Sequence, residues 1–388
     1  MNENTTKNVV SSEEKISATR ASTSGEKSAT ASVPEKVGQT INGKLKVHYI
    51  DVGQADSILV QQGSQNMLID AGNNADANTV VAYLKQQGVS KIDYLIMTHP
   101  HEDHIGGADA VINTFNIGTV YMPKVTSTTQ TFKDVVTAMN NKNLKATVPI
   151  PGSTFRLGDA VCTILAPNSN SYKDLNNYSI VLRLVFGSNK FIFEGDAEDI
   201  SEKEILNNGY DISADVIKIG HHGSNSSSTQ SYINKVNPKY AVISIGKGNT
   251  YGHPHQETMA ILKGMEIPVY RTDENGTIVA TSDSKNISFN CNPGSYAAGS
   301  GGGGSGSSGL SKGGSSNGSS SGTVIVPPTS EVNSGVTQSK EAIVYITKTG
   351  SKYHRDGCRY LSRSKIPINL SDAKNSGYGP CSVCNPPR

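Results

Sequence analysis

The sequence has no apolar stretch approaching the roughly 20 residues needed to cross a bilayer, so no membrane-spanning helix is expected. It has no excess of either charge: 35 Lys and Arg stand against 33 Asp and Glu, a net +2 over 388 residues, which selects no class of partner. Cysteine is scarce at five, an odd number that settles no redox compartment. No positively charged start runs into an apolar core, so an intact secretory signal is not apparent. That leaves a cytoplasmic protein, or an exported one whose signal has been removed. The polar start and a long Gly/Ser run favour the second, and an extracellular or cell-surface location is expected. Apolar residues make up only 35% of the chain, low for a wholly globular protein, and two polar segments account for the shortfall. Residues 1–43 are rich in Ser, Thr, Lys and Glu, with too little apolar surface to offset ordering entropy, and should be disordered. Residues 294–322 hold 12 Gly and 11 Ser, the composition of a flexible linker. Four segments are therefore expected: a disordered 1–43, a catalytic domain over 44–292, a linker over 293–340 and a small module over 341–388.

Against these shortages stands a concentration of ligand-type side chains in Thr98-His99-Pro100-His101-Glu102-Asp103-His104-Ile105-Gly106-Gly107. It follows the apolar run Tyr94-Leu95-Ile96-Met97, which reads as a buried strand delivering its end into a loop. His99 and His101 are two apart, so an extended backbone points both imidazoles to one side. Asp103 and His104 come after the chain has turned and can face a second ion. Gly106 and Gly107 let the loop fold closely before the next helix. A histidine-rich surface turn is the bland alternative, and four ligand types in this order argue against it. Around the motif, short apolar runs alternate with helical patterns at 79–87, 132–140, 201–208, 228–236 and 257–264. Strands interleaved with helices fit two packed sheets flanked by helices, with chemistry collected at strand ends.

The His-x-His-x-Asp-His order resembles the signature of the metallo-β-lactamase superfamily. The resemblance extends over roughly residues 45–290, through Asp51-Val52-Gly53-Gln54-Ala55-Asp56-Ser57, Ile69-Asp70-Ala71-Gly72, Glu194-Gly195-Asp196, Gly220-His221-His222-Gly223-Ser224 and Tyr251-Gly252-His253-Pro254-His255. Together these are similar to the β-lactamase-like domain of the bacterial DNA-internalisation competence family. The resemblance implies an αβ/βα sandwich binding two divalent ions, zinc with manganese as an alternative. By the same resemblance His99 and His101 would hold one ion, Asp103, His104 and His221 the other, and Asp196 would bridge. His222 would replace His221 as ligand or bond to substrate. His253 would sit over the ions and protonate a leaving group or bind a phosphate oxygen. Asp103, His222 and His253 are thus the candidate catalytic residues. Asp70 and Asp51, at strand ends before Ala-Gly and Val-Gly, would accept hydrogen bonds that orient ligand histidines, although either could be a plain turn acid.

One departure stands out. The superfamily pattern places a third histidine for the first ion between the motif and the bridging Asp, yet no histidine lies between His104 and Asp196. The matching region is Asn176-Asn177-Tyr178-Ser179-Ile180. Asn177 is expected to approach the first ion through its amide oxygen, or water to fill the gap, leaving that site weaker and more open.

A second cluster lies near the C-terminus, with His354-x3-Cys358 followed by Cys381-x2-Cys384. Four such ligands can close a tetrahedral zinc shell, and a module of under 50 residues has reason to need one. Two of the cysteines forming a disulfide is the competing reading. The stretch around Gly377-Tyr378-Gly379-Pro380-Cys381 is similar to the zinc module of the bacterial Ada repair family, which contacts DNA. His354 stands where that family has its first Cys, so nothing here supports methyl transfer. Residues 340–388 hold nine Lys and Arg against three acids, +6, and such a basic surface favours polyanions.

Two divalent ions held side by side generate a nucleophile from water at neutral pH and stabilise an oxyanion or phosphorane. The expected function is therefore metal-dependent hydrolysis of a phosphodiester, as a nuclease acting on DNA, with Arg271 and Ser224 as further polar neighbours. Hydrolysis of cell-surface phosphoesters, the module then binding anionic wall polymer, is an alternative, as is a non-catalytic DNA-binding protein.

Overall fold

Period-two alternation decides which way each strand faces. In β1 (Leu45–Tyr49) the odd-numbered Leu45, Val47 and Tyr49 are fully buried and enter one central core. The computed structural model describes residues 41–299, 343–347, 352–361, 366–375 and 378–387. Apart from residues 41–43 and 293–299, the polar start and the Gly/Ser linker expected from composition lie outside the described residues.

The first half runs β1, β2 (Ile58–Gln62), β3 (Gln65–Ile69), α1 (Ala77–Gln86), β4 (Lys91–Ile96), α2 (Glu102–Ile105), α3 (Ala108–Thr114), β5 (Asn116–Tyr121), α4 (Gln130–Asn141) and β6 (Ala146–Thr147). The second runs β7 (Thr154–Leu157), β8 (Ala160–Ala166), β9 (Val181–Phe186), β10 (Asn189–Phe193), α5 (Asp199–Asn207), β11 (Val216–Lys218), α6 (Gln230–Val236) and β12 (Tyr240–Ile243). It closes with α7 (Gln256–Gly264), β13 (Val269–Arg271), α8 (Thr272–Asn275), β14 (Ile278–Ser282) and β15 (Ile287–Phe289). An eight-stranded sheet has the order β15-β14-β1-β2-β3-β4-β5-β6, and a seven-stranded sheet the order β13-β12-β11-β10-β9-β8-β7. The chain thus returns to the first sheet through β14, antiparallel to β1 with Val47 opposite Ala280.

The inner faces of the two sheets pack Val47, Tyr49, Met67 and Ile69 against Leu182, Leu184, Phe191 and Phe193. On the outer face of the first sheet Leu59, Leu68 and Leu95 meet Val80, Leu84, Val111 and Val135 from α1, α3 and α4. On the second, Ile192, Ile217 and Ile243 meet Ile205, Tyr232 and Leu262 from α5, α6 and α7. This is the αβ/βα sandwich, two packed sheets flanked by helices, that the alternation of strands and helices predicts. Full burial of each such Leu or Ile contributes about 1.5–3 kcal/mol, so these cores dominate the stability. Cys162 is a free thiol in the central core and Cys291 a free thiol packed at its edge.

The sandwich continues past residue 292, where the linker was expected to begin. Gly294 N–H donates to the Val269 carbonyl and Tyr296 O–H to the Ile267 carbonyl, while Gly299 N–H donates to the Pro254 carbonyl. Arg271, expected among the polar neighbours of the site, is committed here instead. It is buried, forks onto Asp273 and donates to the Ser295 and Ala297 carbonyls.

The C-terminal residues form two small pairings. β16 (Ile343–Ile346) lies antiparallel to β18 (Ile366–Asn369), and β17 (Lys352–Tyr353) lies parallel to β19 (Gly379–Pro380). Val344, Tyr353 and Ala373, the last in α9 (Leu370–Asn375), make a minor core of their own. Among the described residues no helix is long and apolar enough to cross a membrane.

Candidate metal centre and cleft

The parallel strands β3 and β4 end side by side, Ile69 opposite Ile96, and this places Asp70 beside Thr98. Asp70 accepts from Thr98 N–H at 2.8 Å and from Thr98 O–H at 2.7 Å, and its carboxylate lies 2.8 Å from His104 Nδ1. That contact orients the His104 ring with Nε2 turned inward. Close chain approach makes the geometry possible: a Cβ on Gly106 would lie 2.2 Å from the backbone of Asn73, and one on Gly107 would lie 2.4 Å from the Ala71 carbonyl oxygen. Asp51, given the same orienting role from sequence, does not reach a histidine. It is exposed and accepts from Gly53 N–H, as an ordinary turn acid. Asp56, five residues on, is the buried one. Its carboxylate pairs with the buried Lys218 ammonium at 3.0 Å and lies 3.5 Å from His222 Nδ1.

His221 and His222 sit in the turn Gly220–Gly223, both with left-handed backbone (φ 48° and 53°). Such geometry is strained for a residue with a Cβ and needs support from its surroundings. Gly220 N–H donates to Glu194 at 2.8 Å, and His221 N–H to the Gly195 carbonyl at 3.0 Å. The turn splays the two rings. His222 is buried, with Nδ1 3.0 Å from the Ser244 carbonyl and Nε2 3.3 Å from Asp103. His221 keeps Nδ1 3.1 Å from Ser226 Oγ and brings Nε2 to 3.7 Å from Asp196 Oδ2, partly open to solvent.

One ligand atom each from Asp103, His104, Asp196 and His222 lies within 4.8 Å of the others. His222, the alternative to His221 as ligand, belongs to this compact set, while His221 reaches only Asp196 of it. His99 Nε2 is 3.0 Å from His101 Nδ1 and 3.9 Å from Asp196 Oδ2. Neither His99 nor His101 joins a compact set of three or more among the described residues. Asp196 therefore faces two unequal neighbourhoods. Asn177 does not approach either one through its oxygen: Oδ1 accepts from Glu198 and Ser201 N–H, while Nδ2 donates to Glu198 at 3.0 Å.

The residues fit divalent cations. Buried His104 Nε2 and Asp196 Oδ1 face each other at 3.2 Å and have no other hydrogen-bond partner, so a cation between them would take up both. The charges agree. Burial alone would depress His104, but Asp196, Asp103 and Asp70 outweigh it and hold the ring well above its ordinary range. Burial alone would raise Asp196, but His104, His221 and His222 hold it well below the carboxylate range. Burial, with His104 next, keeps His99 low and neutral, as a ligand nitrogen must be. A pocket that holds a proton so firmly among carboxylates is built for positive charge.

His253 is pushed down to about 3 by burial first and by His222 and His221 next, so it is uncharged at neutral pH. Gln54 fixes its tautomer. The Gln54 oxygen accepts from Gly246 N–H at 3.1 Å, which leaves its amide nitrogen to donate to His253 Nδ1 at 3.3 Å. His253 Nε2 then carries the hydrogen. The cluster opens into a cleft of about 1020 Å³, whose walls include Gln54, Asn73, Thr129, Lys133, Tyr251 and His253. Tyr251 is 68% exposed at its lip and stacks on His253 at 5.7 Å. Ser224, expected as a polar neighbour of the site, is buried against Ser226.

The C-terminal cluster differs in kind. His354, Cys358, Cys381 and Cys384 are all buried, with ligand atoms within 4.8 Å of one another and His354 Nδ1 3.2 Å from Cys358 Sγ. Cys381 N–H donates to the Tyr353 carbonyl at 2.9 Å, which brings the Cys381–Cys384 turn against His354. All three cysteines are free thiols. Burial opposes ionisation of Cys381, but the backbone N–H groups of Cys384 and Val383 overcome it and lower the thiol.

Asp56, Asn176, Ser179 and Glu198 were not picked out from sequence. Lys218, an isolated charge in the apolar run Val216-Ile217-Lys218-Ile219, was the available signal that a buried acid must face it.

Comparison with known proteins gives a match to the Metallo-beta-lactamase superfamily over residues 50–247. ComE operon protein 3 of Bacillus subtilis is 32% identical over 256 residues, covering 61% of this chain and 33% of that protein. Competence protein ComA of Neisseria gonorrhoeae is 30% identical over 230 residues, covering 59% and 31%. The chain thus spans about a third of the length of these curated relatives. Among solved structures, the metallo-beta-lactamase fold protein YhfI of Bacillus subtilis aligns with a TM-score of 0.41 at 14% identity, over 64% of this chain and all of that one.

Proposed function

The chain belongs to the metallo-β-lactamase superfamily of metal-dependent hydrolases, and from that premise we propose that it is a phosphodiesterase that cuts DNA in the cleft above Asp196. The cleft carries this reading. It runs from Asp103, Asp196 and His222 of the cluster to the first turn of α4 with Lys133, it is lined by amide, hydroxyl and imidazole side chains as well as apolar surface, and an aromatic ring stands exposed at its lip. A phosphate-linked polymer offers a charge for each of the polar walls and bases for Tyr251 to stack on, and such stacking tolerates any sequence. A relative named as a competence protein fits the DNA-internalisation family that the motifs resemble, and that resemblance is the ground for DNA as the substrate and the cell surface as the proposed place of action.

In this reading Asp103, His104, His222 and Asp196 hold one divalent ion, and His99, His101 and Asp196 the other, zinc or manganese. Bound there, the ions supply a nucleophile from water at neutral pH and offset charge on the phosphoryl group. The protein's own groups do the rest. Asp70, Asp56 and the Ser244 carbonyl keep the His104 and His222 rings in place. His253 offers a neutral N–H to a phosphoryl or leaving oxygen, which is the phosphate-binding one of the two roles expected for it. His221, with Nδ1 tied to Ser226, presents Nε2 beside Asp196 from the solvent side. The four proposed segments are a polar start, this catalytic domain, a Gly/Ser tether and a zinc-stabilised basic module that retains DNA. Incubating the full chain with single- and double-stranded DNA and added Zn²⁺ or Mn²⁺ tests the proposal. Metal-dependent strand cleavage is expected. Turnover of a choline-phosphate ester with intact DNA would move the substrate to cell-surface phosphoesters, and turnover of neither would leave a DNA-binding protein without this activity.

A further inference from the structure

Site one, the neighbourhood of His99 and His101, lacks its third histidine, and the short turn Leu175–Tyr178 occupies the adjoining space. That turn is stitched to the centre by backbone and hydroxyl contacts. Ser179 N–H donates to the Asn176 carbonyl at 2.9 Å, and Ser179 Oγ accepts from Asp196 N–H at 3.0 Å while lying 3.3 Å from His99 Nδ1. Ile180 N–H donates to the Thr98 carbonyl at 3.1 Å. Glu198 then sorts the two asparagine amides. Asn177 Nδ2 donates to Glu198 Oε2 at 3.0 Å and Asn176 Nδ2 faces Glu198 Oε1 at 3.4 Å, which turns both oxygens away from the carboxylate. The Asn177 oxygen is taken up by two backbone N–H groups. The Asn176 oxygen is not: the side chain is 6% exposed, its Oδ1 is buried without a partner, and the residue lines the same cleft as His101, Asp196 and His221.

We infer that Asn176 Oδ1 is the ligand standing in place of the absent histidine, so that site one has an oxygen donor where the superfamily pattern has a third imidazole and accepts a hard divalent cation such as Mn²⁺ more readily than a three-histidine site would. The chemistry follows from the donors. With Asn176, site one has two imidazoles, a shared carboxylate and an amide oxygen; with a third histidine in that place it would have three imidazoles and the carboxylate. Carbonyl and carboxylate oxygens suit Mn²⁺ and Mg²⁺, and imidazole-dominated sites suit Zn²⁺. This rests on the reading of the cleft as a dinuclear centre.

The test uses the full chain with its C-terminal zinc counted by elemental analysis, titrated with Mn²⁺ alone and with Zn²⁺ alone by calorimetry, with Mn²⁺ electron paramagnetic resonance as a second readout. The wild type should take two Mn²⁺ in the cleft. Asn176→Leu, similar in volume but without the oxygen, should weaken one of the two by at least the roughly tenfold that loss of an outer metal-site partner costs, and leave the other unchanged. Asn176→Asp should keep both, and Asn176→His should shift the weakened site toward Zn²⁺. Two equally tight Mn²⁺ in Asn176→Leu, or an unchanged Zn²⁺ to Mn²⁺ preference in Asn176→His, would overturn the assignment while leaving the dinuclear centre standing. A wild type that takes up fewer than two ions in the cleft would overturn both.

Discussion

The two ligand clusters of this chain solve opposite problems. In the cleft, carboxylates and imidazoles come from strand ends spread over some 120 residues of sequence, from His99 to His222. They are held by an enclosing sandwich with cores of its own, and two buried ligand atoms face each other without a further hydrogen-bond partner. At the C-terminus, three thiols and one imidazole come from a span of 31 residues whose own apolar core is a handful of side chains. The first is a fold that makes a site; the second is a site that makes a fold. Mixed oxygen and nitrogen donors with room for substrate suit catalysis, while a closed sulfur-rich shell suits structure.

Exchange of Asp196 for Ala should separate the two most sharply. Turnover should fall by more than the roughly 10²–10³-fold that loss of one electrostatic donor costs, with circular dichroism and the C-terminal zinc unchanged. Steady-state cleavage beside elemental analysis measures this, and near wild-type rates would remove the two-ion reading. Next in size is the pair His222→Ala and His221→Ala. The first should lose the site-two ion; the second should keep the cleft's ion count and lower turnover by roughly tenfold to a hundredfold, the lower end of what a positioned catalytic side chain supplies. Equal ion loss in both would return His221 to the ligand set.

Cys384→Ser should do the reverse of Asp196→Ala. It should release the C-terminal ion and unfold that module, while cleavage of a small phosphodiester and the melting of the sandwich stay put. DNA affinity should fall, most at low salt where counterion release is strongest. Unchanged DNA binding at low salt would take nucleic acid away from the module. The smallest expected effect is Asp51→Asn, an exposed change within about ±0.5 kcal/mol. Asp56→Asn should instead weaken cleft metal binding by roughly tenfold or more. If the two behave alike in a metal titration, Asp56 has no special hold on His222.

The contrast between Asp51 and Asp56 also marks where sequence reasoning stops. Both acids follow β1 in one short loop, and nothing in their order says that one is exposed and the other faces Lys218. The sheets were legible because alternation is a local property: Val47 and Tyr49 point inward for the same reason wherever the strand lies. The His-x-His-x-Asp-His motif was legible because its spacing is its geometry. His221 and His222 were not, since two successive left-handed residues decide which ring goes inward, and that hand is imposed by Glu194 and Gly195 from another strand. Asn176 and Asn177 are neighbours of identical chemistry, and only Glu198 tells them apart.

The strap that ends the sandwich has a kinetic meaning. Residue 299 is fastened to the loop carrying Tyr251 and His253, so tightly that a Cβ there would lie 2.2 Å from the His253 carbonyl oxygen. The described strap therefore ends at the lip of the cleft and not on the far side of the domain. Residues 294–299, the first six of the 29-residue Gly/Ser-rich run, belong to that strap. Under the proposed function, DNA retained by the C-terminal module would be presented to the cleft at a high local concentration, a leash pinned at the door. Moving that pin to the opposite face, with the same linker, would lengthen the search without touching either site.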